Sequence, residues 1–250
     1  MFFYFGYMNE YPRFDLHVHT VYSDGFAEPE KVVESVLGTN LKLLGIADHG
    51  PGLGVGITNS NFERYIKDIR ILKKDSDLPI LLGIEANILD SEGRLDIPSY
   101  LVNELDYIMA GIHLAEYSSM DLDRFARGYL ERLIKSIEDN EIDIISHPFW
   151  YRGDVSRHLS VEEIDSFIEV ALRNNVAVEL NQKYRAPDGL LLSRLLNSDL
   201  KISLGSDAHS LEEVGVVEWG MGRLKESGTE KSRLVFSDLM GDLDYGTGSF

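Results

Sequence analysis

The 250-residue sequence has no cysteine, which excludes disulfides, thiolate metal sites and a cysteine nucleophile. Any metal ion must then be held by His, Asp or Glu. Basic residues are scarce: 24 Lys and Arg stand against 42 Asp and Glu, a formal charge of −18. Such a field repels phosphate backbones and argues against non-specific nucleic-acid binding, whereas bound divalent cations would reverse it locally. No run approaches 18 apolar residues, so no membrane span is expected. The aromatic-rich start MFFYFGYMNEY has neither the basic n-region nor the apolar stretch of a signal peptide, and a cytoplasmic protein is the expectation.

What remains is ordinary globular composition, 44% hydrophobic and 26% charged. The length suits one α/β barrel, with a core over about 13–224 and a C-terminal helix or tail over 225–250. Short apolar runs alternate with longer amphipathic ones, the pattern of repeated βα units around a parallel sheet. Seven strands are predicted, at 13–18, 41–47, 80–86, 107–112, 142–146, 176–181 and 201–205. Most are apolar on both faces, as strands covered by helices must be. Helices are predicted at 29–37, 61–74, 121–140, 160–174 and 190–197, with a short final one near 231–239. The helix at 160 opens SVEE, a capping-box signal. The last ten residues, GDLDYGTGSF, read as a loose tail.

Chemistry gathers where these strands end. Strand one ends in His17 and His19, strand two in Asp48 and His49, and strand three in Glu85; strands four, five and seven end in His113, His147, and Asp207 with His209. Strand six carries only Glu179 and Asn181 there. Six of the seven histidines thus stand at strand ends, which converge on one face of a parallel barrel. Each residue taken singly has a bland reading: an HxH pair is commonly packed, a buried histidine is commonly a satisfied core residue, and Asp207 could cap a helix. Together they form an inventory suited to Zn, Mn or Fe. Gly-Ile precedes the polar group in GIADH, GIEAN and GIHLA, which fits either close approach of a ligand or a barrel interior alternating small and branched side chains.

The series DLHVHTVYSDG, GIADHG, GIEANI, GIHLAE, ISHPFW and GSDAHS, in this order, closely resembles the PHP (polymerase and histidinol phosphatase) family of metal-dependent phosphoesterases. The likeness is greatest to stand-alone members and to the PHP domains of bacterial family X DNA polymerases. It implies a distorted, TIM-like (β/α)7 barrel whose two or three divalent ions sit at the C-terminal strand ends. By the same resemblance His17, His19, Glu85 and Asp207 would hold one ion, with Glu85 bridging to a second on His113 and His147. Asp24, His49 and His209 would hold a third, and Asp207 and His209 are the residues expected in catalysis.

The implied activity is hydrolysis of a small phosphomonoester, such as histidinol phosphate or a nucleotide or sugar phosphate, by attack of a metal-bound hydroxide. A PHP-type nuclease or phosphodiesterase is the alternative, and a non-catalytic binding subunit the least favoured reading. Asp15 and Asp48 are expected to accept N–H groups of the liganding imidazoles. Arg152, Asn181, Lys183 and Arg185 are placed to meet a phosphate, while Trp150, Tyr151 and Tyr184 could stack on a planar group. His158 falls outside every motif and receives no role.

Overall fold

The computed structural model describes residues 11–115 and 121–241; the predicted features at the first ten and last nine residues lie outside them. Seven strands, β1 (Phe14–Asp15), β2 (Leu43–Ile46), β3 (Ile80–Asn87), β4 (Tyr107–Gly111), β5 (Ile144–Ile145), β6 (Ala177–Asn181) and β7 (Ile202–Gly205), pair in sequence order. Every pairing is parallel. The sheet comes back on itself: Leu16 N–H donates to Leu204 O at 3.0 Å, His19 N–H to Ala208 O at 2.9 Å and Asp207 N–H to His17 O at 2.8 Å. The result is a nearly closed (β/α)7 barrel.

Helices α1 (Pro29–Val36), α2 (Phe62–Asp75), α3 (Leu122–Asp139), α4 (Val161–Arg173), α5 (Gly189–Leu196), α6 (Glu218–Ser227) and α7 (Val235–Gly241) cover it. Pro29 opens α1, where its missing N–H costs nothing. The Asp121 side chain accepts from Arg124 N–H to start α3, and Ser160 with Glu163 forms the predicted capping box of α4.

Alternation along β2 and β3 separates inside from outside. Leu44, Ile46, Ile80, Leu82 and Ile84 pack with Val32, Val33 and Val36 of α1 and Phe62, Tyr65 and Ile69 of α2. Leu43 and Leu81 instead join Tyr107 and Met109 in the interior cluster. Gly45 and Gly83 share that inward register, and a Cβ on either would strike the Tyr107 side chain. The tyrosine, 1% exposed, plugs the barrel and donates from its hydroxyl to Leu16 O at 2.6 Å. Two of the Gly-Ile pairs therefore serve barrel packing.

The C-terminal region differs from expectation. Helix α6 was not predicted, because EWGMGRLKES contains two glycines and no capping side chain precedes it; Gly228, at φ 66°, closes it in the left-handed conformation. The final helix is a 3-10 turn at Lys231–Arg233 followed by α7. The segment 225–241 closes the far end of the barrel, and the tail expected to be loose lies, apart from Gly241, outside the described residues. Leu234 is fully buried and bridges to Ile202, the Phe236 ring lies 5.6 Å from Phe14, and Arg233 donates to the carbonyls of Leu195, Leu196 and Leu200.

Candidate metal centre

The barrel architecture brings the six strand-end histidines together with Glu85 and Asp207, while Asp48 turns away. Glu85, fully buried, stands at the middle. Its Oε2 lies 3.2 Å from His17 Nε2, 3.6 Å from His19 Nε2 and 2.9 Å from His49 Nδ1; its Oε1 lies 3.2 Å from His113 Nε2 and 2.9 Å from His147 Nε2. Asp207 Oδ1 is 3.6 Å from His19 Nε2. Asp24, on the loop after β1, places Oδ1 3.3 Å from His209 Nε2 and 3.8 Å from both His49 Nε2 and His19 Nδ1. His158 stays outside, on the surface beside Asp123 at 3.0 Å.

Side chains this buried ordinarily satisfy their polar atoms. Here His17 Nε2, both ring nitrogens of His19, His49 Nδ1 and Glu85 Oε2 are buried without a hydrogen-bond partner. These lone pairs converge in groups of metal-ligand geometry: His17, His19 and Glu85; His49, Glu85 and His113; and His19, Asp24, His49 and His209, each within 4.8 Å. Neutral imidazoles and carboxylates left unpaired in this way are the donor set of a first-row divalent ion. The residues present fit the metals that the resemblance implies.

Backbone geometry supports the same assignment. His147 and Asp207 adopt φ of 24° and 57°, a region that residues other than glycine rarely enter and that recurs at functional sites.

The charges are strongly coupled. Burial alone would push His17, His49 and His147 down, but neighbouring carboxylates outweigh it and hold all three above the usual imidazole range; Glu85 acts on each, joined by Glu179 and Asp207 at His17 and His147 and by Asp24 at His49. Burial lowers His19 to about 3, helped by His49 and His17, and also lowers His113. Glu85, Asp207 and Asp24 are held well below the carboxylate range by the surrounding imidazoles, despite burial. A metal must displace the protons that His17, His49 and His147 retain beyond their ordinary range, so affinity should rise with pH through and above about 6.5. Calorimetric titration at pH 7 in buffers of different ionisation enthalpy should register proton release; a signal independent of buffer would refute this.

Around the centre a second layer fixes the rings. Asn87 Oδ1 lies 2.5 Å from His113 Nδ1, and Asp96 in turn accepts from Asn87 N–H and Nδ2–H at 2.8 and 2.7 Å. Such partners set tautomer and orientation. Glu179 does this for His17, with Oε1 2.7 Å from Nδ1. Glu179 stands on the ligand-poor strand six and Asn87 carries no signal in the sequence; they pair in register with Ser203 and Gly111, and only the closed barrel brings them to His17 and His113.

The two carboxylates predicted for that task do otherwise. Asp15 accepts from the backbone N–H groups of His17, Ser206 and Gly215 and from the Ser206 hydroxyl. It lies at the β1–β7 seam, facing loop amides that have no strand partner, and burial raises its pKa to about 6 against those bonds. Asp48 points to the opposite face from its neighbour His49. It accepts from Thr20 and Ser23, backbone and hydroxyl alike, at 2.6–3.0 Å, and so shapes the loop that carries Asp24.

Of the residues expected to meet a phosphate, Lys183 reaches the centre: Nζ donates to Asp207 Oδ1 at 3.0 Å and lies 3.1 Å from His209 Nδ1. Asn181 is buried beneath, with Nδ2 3.3 Å from Asp207 Oδ2. Arg152 and Arg185 are exposed, at φ of 55° and 52°. Trp150 and Tyr184 stack on each other at 5.2 Å, and Tyr184 meets His147 edge-on at 5.6 Å. The Tyr151 hydroxyl donates to Ala115 O, which ties it to the loop after β4.

Three comparisons bear on this centre. The model of the PHP domain matches residues 15–183. A protein of Thermoanaerobacter sp. (strain X514) named "Probable phosphatase" is 28% identical over 232 residues, spanning 90% of each chain. The DNA polymerase/3'-5' exonuclease PolX of Bacillus subtilis is 27% identical over 237 residues, which cover 92% of this chain and 40% of that one. Among solved structures, histidinol phosphate phosphatase of Lactococcus lactis, in complex with zinc, L-histidinol and phosphate, superposes with a TM-score of 0.60 at 16% identity. That match covers 87% of this chain and 94% of the other and shows a shared fold. No helix among the described residues is long and apolar enough to cross a membrane. A family match running through the strands that carry His17 to His147, on a barrel that gathers their imidazoles around one carboxylate, leads to one conclusion: the chain belongs to the PHP family and is a metal-dependent phosphoesterase.

Proposed function

We propose that the protein hydrolyses a small phosphomonoester, with histidinol phosphate and nucleotide or sugar phosphates as candidate substrates. The observation that carries this reading is the set of unpartnered imidazole and carboxylate atoms converging on Glu85. His17, His19, Glu85 and Asp207 would hold one ion, Glu85 with His113 and His147 a second, and Asp24, His49 and His209 a third; zinc, manganese and iron suit such donors. Bound there, the ions would acidify water and neutralise phosphoryl charge.

The chain's own residues supply the rest. Lys183, beside Asp207 and His209, brings a mobile positive charge to a phosphoryl oxygen. Asn181 steadies the Asp207 carboxylate from below while its Oδ1 accepts from Tyr184 N–H. Asp207 would take the proton of an attacking water, and His209, 19% exposed and 3.5 Å from Asp207 Oδ1, would serve the leaving group. The net charge of −18 favours a compact substrate over a polyanion.

Purified protein supplied with Mn²⁺ or Zn²⁺ should release phosphate from an aryl phosphate and from at least one member of a metabolite panel. Folded protein that turns over none of them with any metal would overturn the reading. Faster cleavage of single-stranded DNA than of any monoester would replace it with a nuclease.

A further inference from the structure

Glu179 is fully buried on the one strand that ends in no expected ligand. Its Oε1 is 2.7 Å from His17 Nδ1, while its Oε2 accepts from His147 N–H at 2.6 Å and from Asn181 Nδ2–H at 3.1 Å. The backbone amide and the Asn181 NH2 group can only donate. With both oxygens accepting, the neutral His17 ring that binds a metal would carry its proton on Nδ1, leaving the Nε2 lone pair to the ion on the side of Glu85 Oε2, 3.2 Å away.

Two further features are shaped around this carboxylate. A Cβ on Gly205 would strike Glu179 Oε1 and lie 2.7 Å from His17 Cβ, so β7 leaves room for the pair. The short bond from His147 N–H anchors a backbone held at φ 24°.

We propose that Glu179 is a positioning residue that locks His17 and His147, on either side of Glu85, into one unit, so that the ions they bind are gained and lost together. The Asp24, His49 and His209 group lies outside its bonds, so its ion should weaken less in a variant at Glu179. This rests on the centre binding metal as proposed above.

Glu179→Gln preserves shape and offers one acceptor where two are needed. Whichever way the amide turns, an N–H meets an N–H: at His147 and Asn181, or at His17 Nδ1, which would shift the His17 proton to the nitrogen facing the metal. In the folded variant, two ions should weaken in parallel by roughly 10- to 100-fold, read by mass spectrometry after equilibrium dialysis and by loss of cobalt(II) absorption. Wild-type metal content in the variant, or loss of one of the two ions alone, would overturn the proposal. A wild-type protein that binds no metal would overturn the metal-centre reading with it. The unsubstituted protein provides a second measurement: nitrogen-15 NMR of the zinc-loaded chain should find His17 protonated at Nδ1 and protected from exchange, and a proton on Nε2 would refute it.

Discussion

Replacing Glu85 by Gln is expected to lower kcat/KM for phosphate release by about 10³-fold or more, since the charge stabilisation a metal centre supplies is worth several kcal/mol and each 1.36 kcal/mol is tenfold. Both carboxylate oxygens are committed, Oε2 toward His17, His19 and His49, Oε1 toward His113 and His147. An amide would turn an NH2 group toward one of these two sets and withdraw the negative charge that both share. Ions gathered by the imidazoles on either side would then repel one another, with no shared carboxylate between them. Activity and metal content measured on the same preparation test this, and a variant within tenfold of wild type would mean that Glu85 does not bridge the centre.

The second large effect concerns the scaffold. Tyr107→Ala should destabilise the barrel by about 3–5 kcal/mol, the range for emptying a buried aromatic site. At roughly 2–4 °C per kcal/mol for a chain of this size, the melting midpoint should fall by something on the order of 6–20 °C. The cavity cannot collapse readily: the residues facing the ring include Gly45 and Gly83, which have no side chain to move inward, and Leu16 O would lose its bond from the phenol. Thermal unfolding measured at fixed metal concentration checks the prediction. A shift under about 2 °C would show that the interior repacks, contrary to the rigid plug described above.

The legibility of the sequence followed the range of the interactions. The SVEE box at Ser160 and the HxH pair at His17 and His19 are set within a few residues: the box forms as read, and both imidazoles of the pair turn to Glu85. The barrel itself was readable because seven apolar runs alternate with amphipathic ones. The supporting layer was not, since which carboxylate meets which imidazole depends on strand register. Asp15 has the same alternation as His17 yet turns to the β7 loop, while Glu179 arrives from a strand 162 residues away. Likewise α6 follows from tertiary contacts: Arg13 at the start of β1 pairs with its Glu218 and donates to Gly215 O, bonds that no local pattern in EWGMGRLKES announces. Asp24 gave the weakest signal of the expected ligands, because its position depends on a loop folded over Asp48.

The seam between β1 and β7 has a consequence for biosynthesis. Asp15 and Ser206, bonded across it, lie 191 residues apart, and Asp207 follows at once. During vectorial synthesis a nascent chain displays His17, His19, Glu85, His113 and His147 long before the last strand leaves the ribosome. The centre stays incomplete until the sheet closes, so a truncated product would be chemically silent. Closure also removes two bare strand edges, the template on which sheets associate edge to edge. An ion gripped from both sides of the join would act as a clasp, making the step that completes the centre the same step that hides the edges.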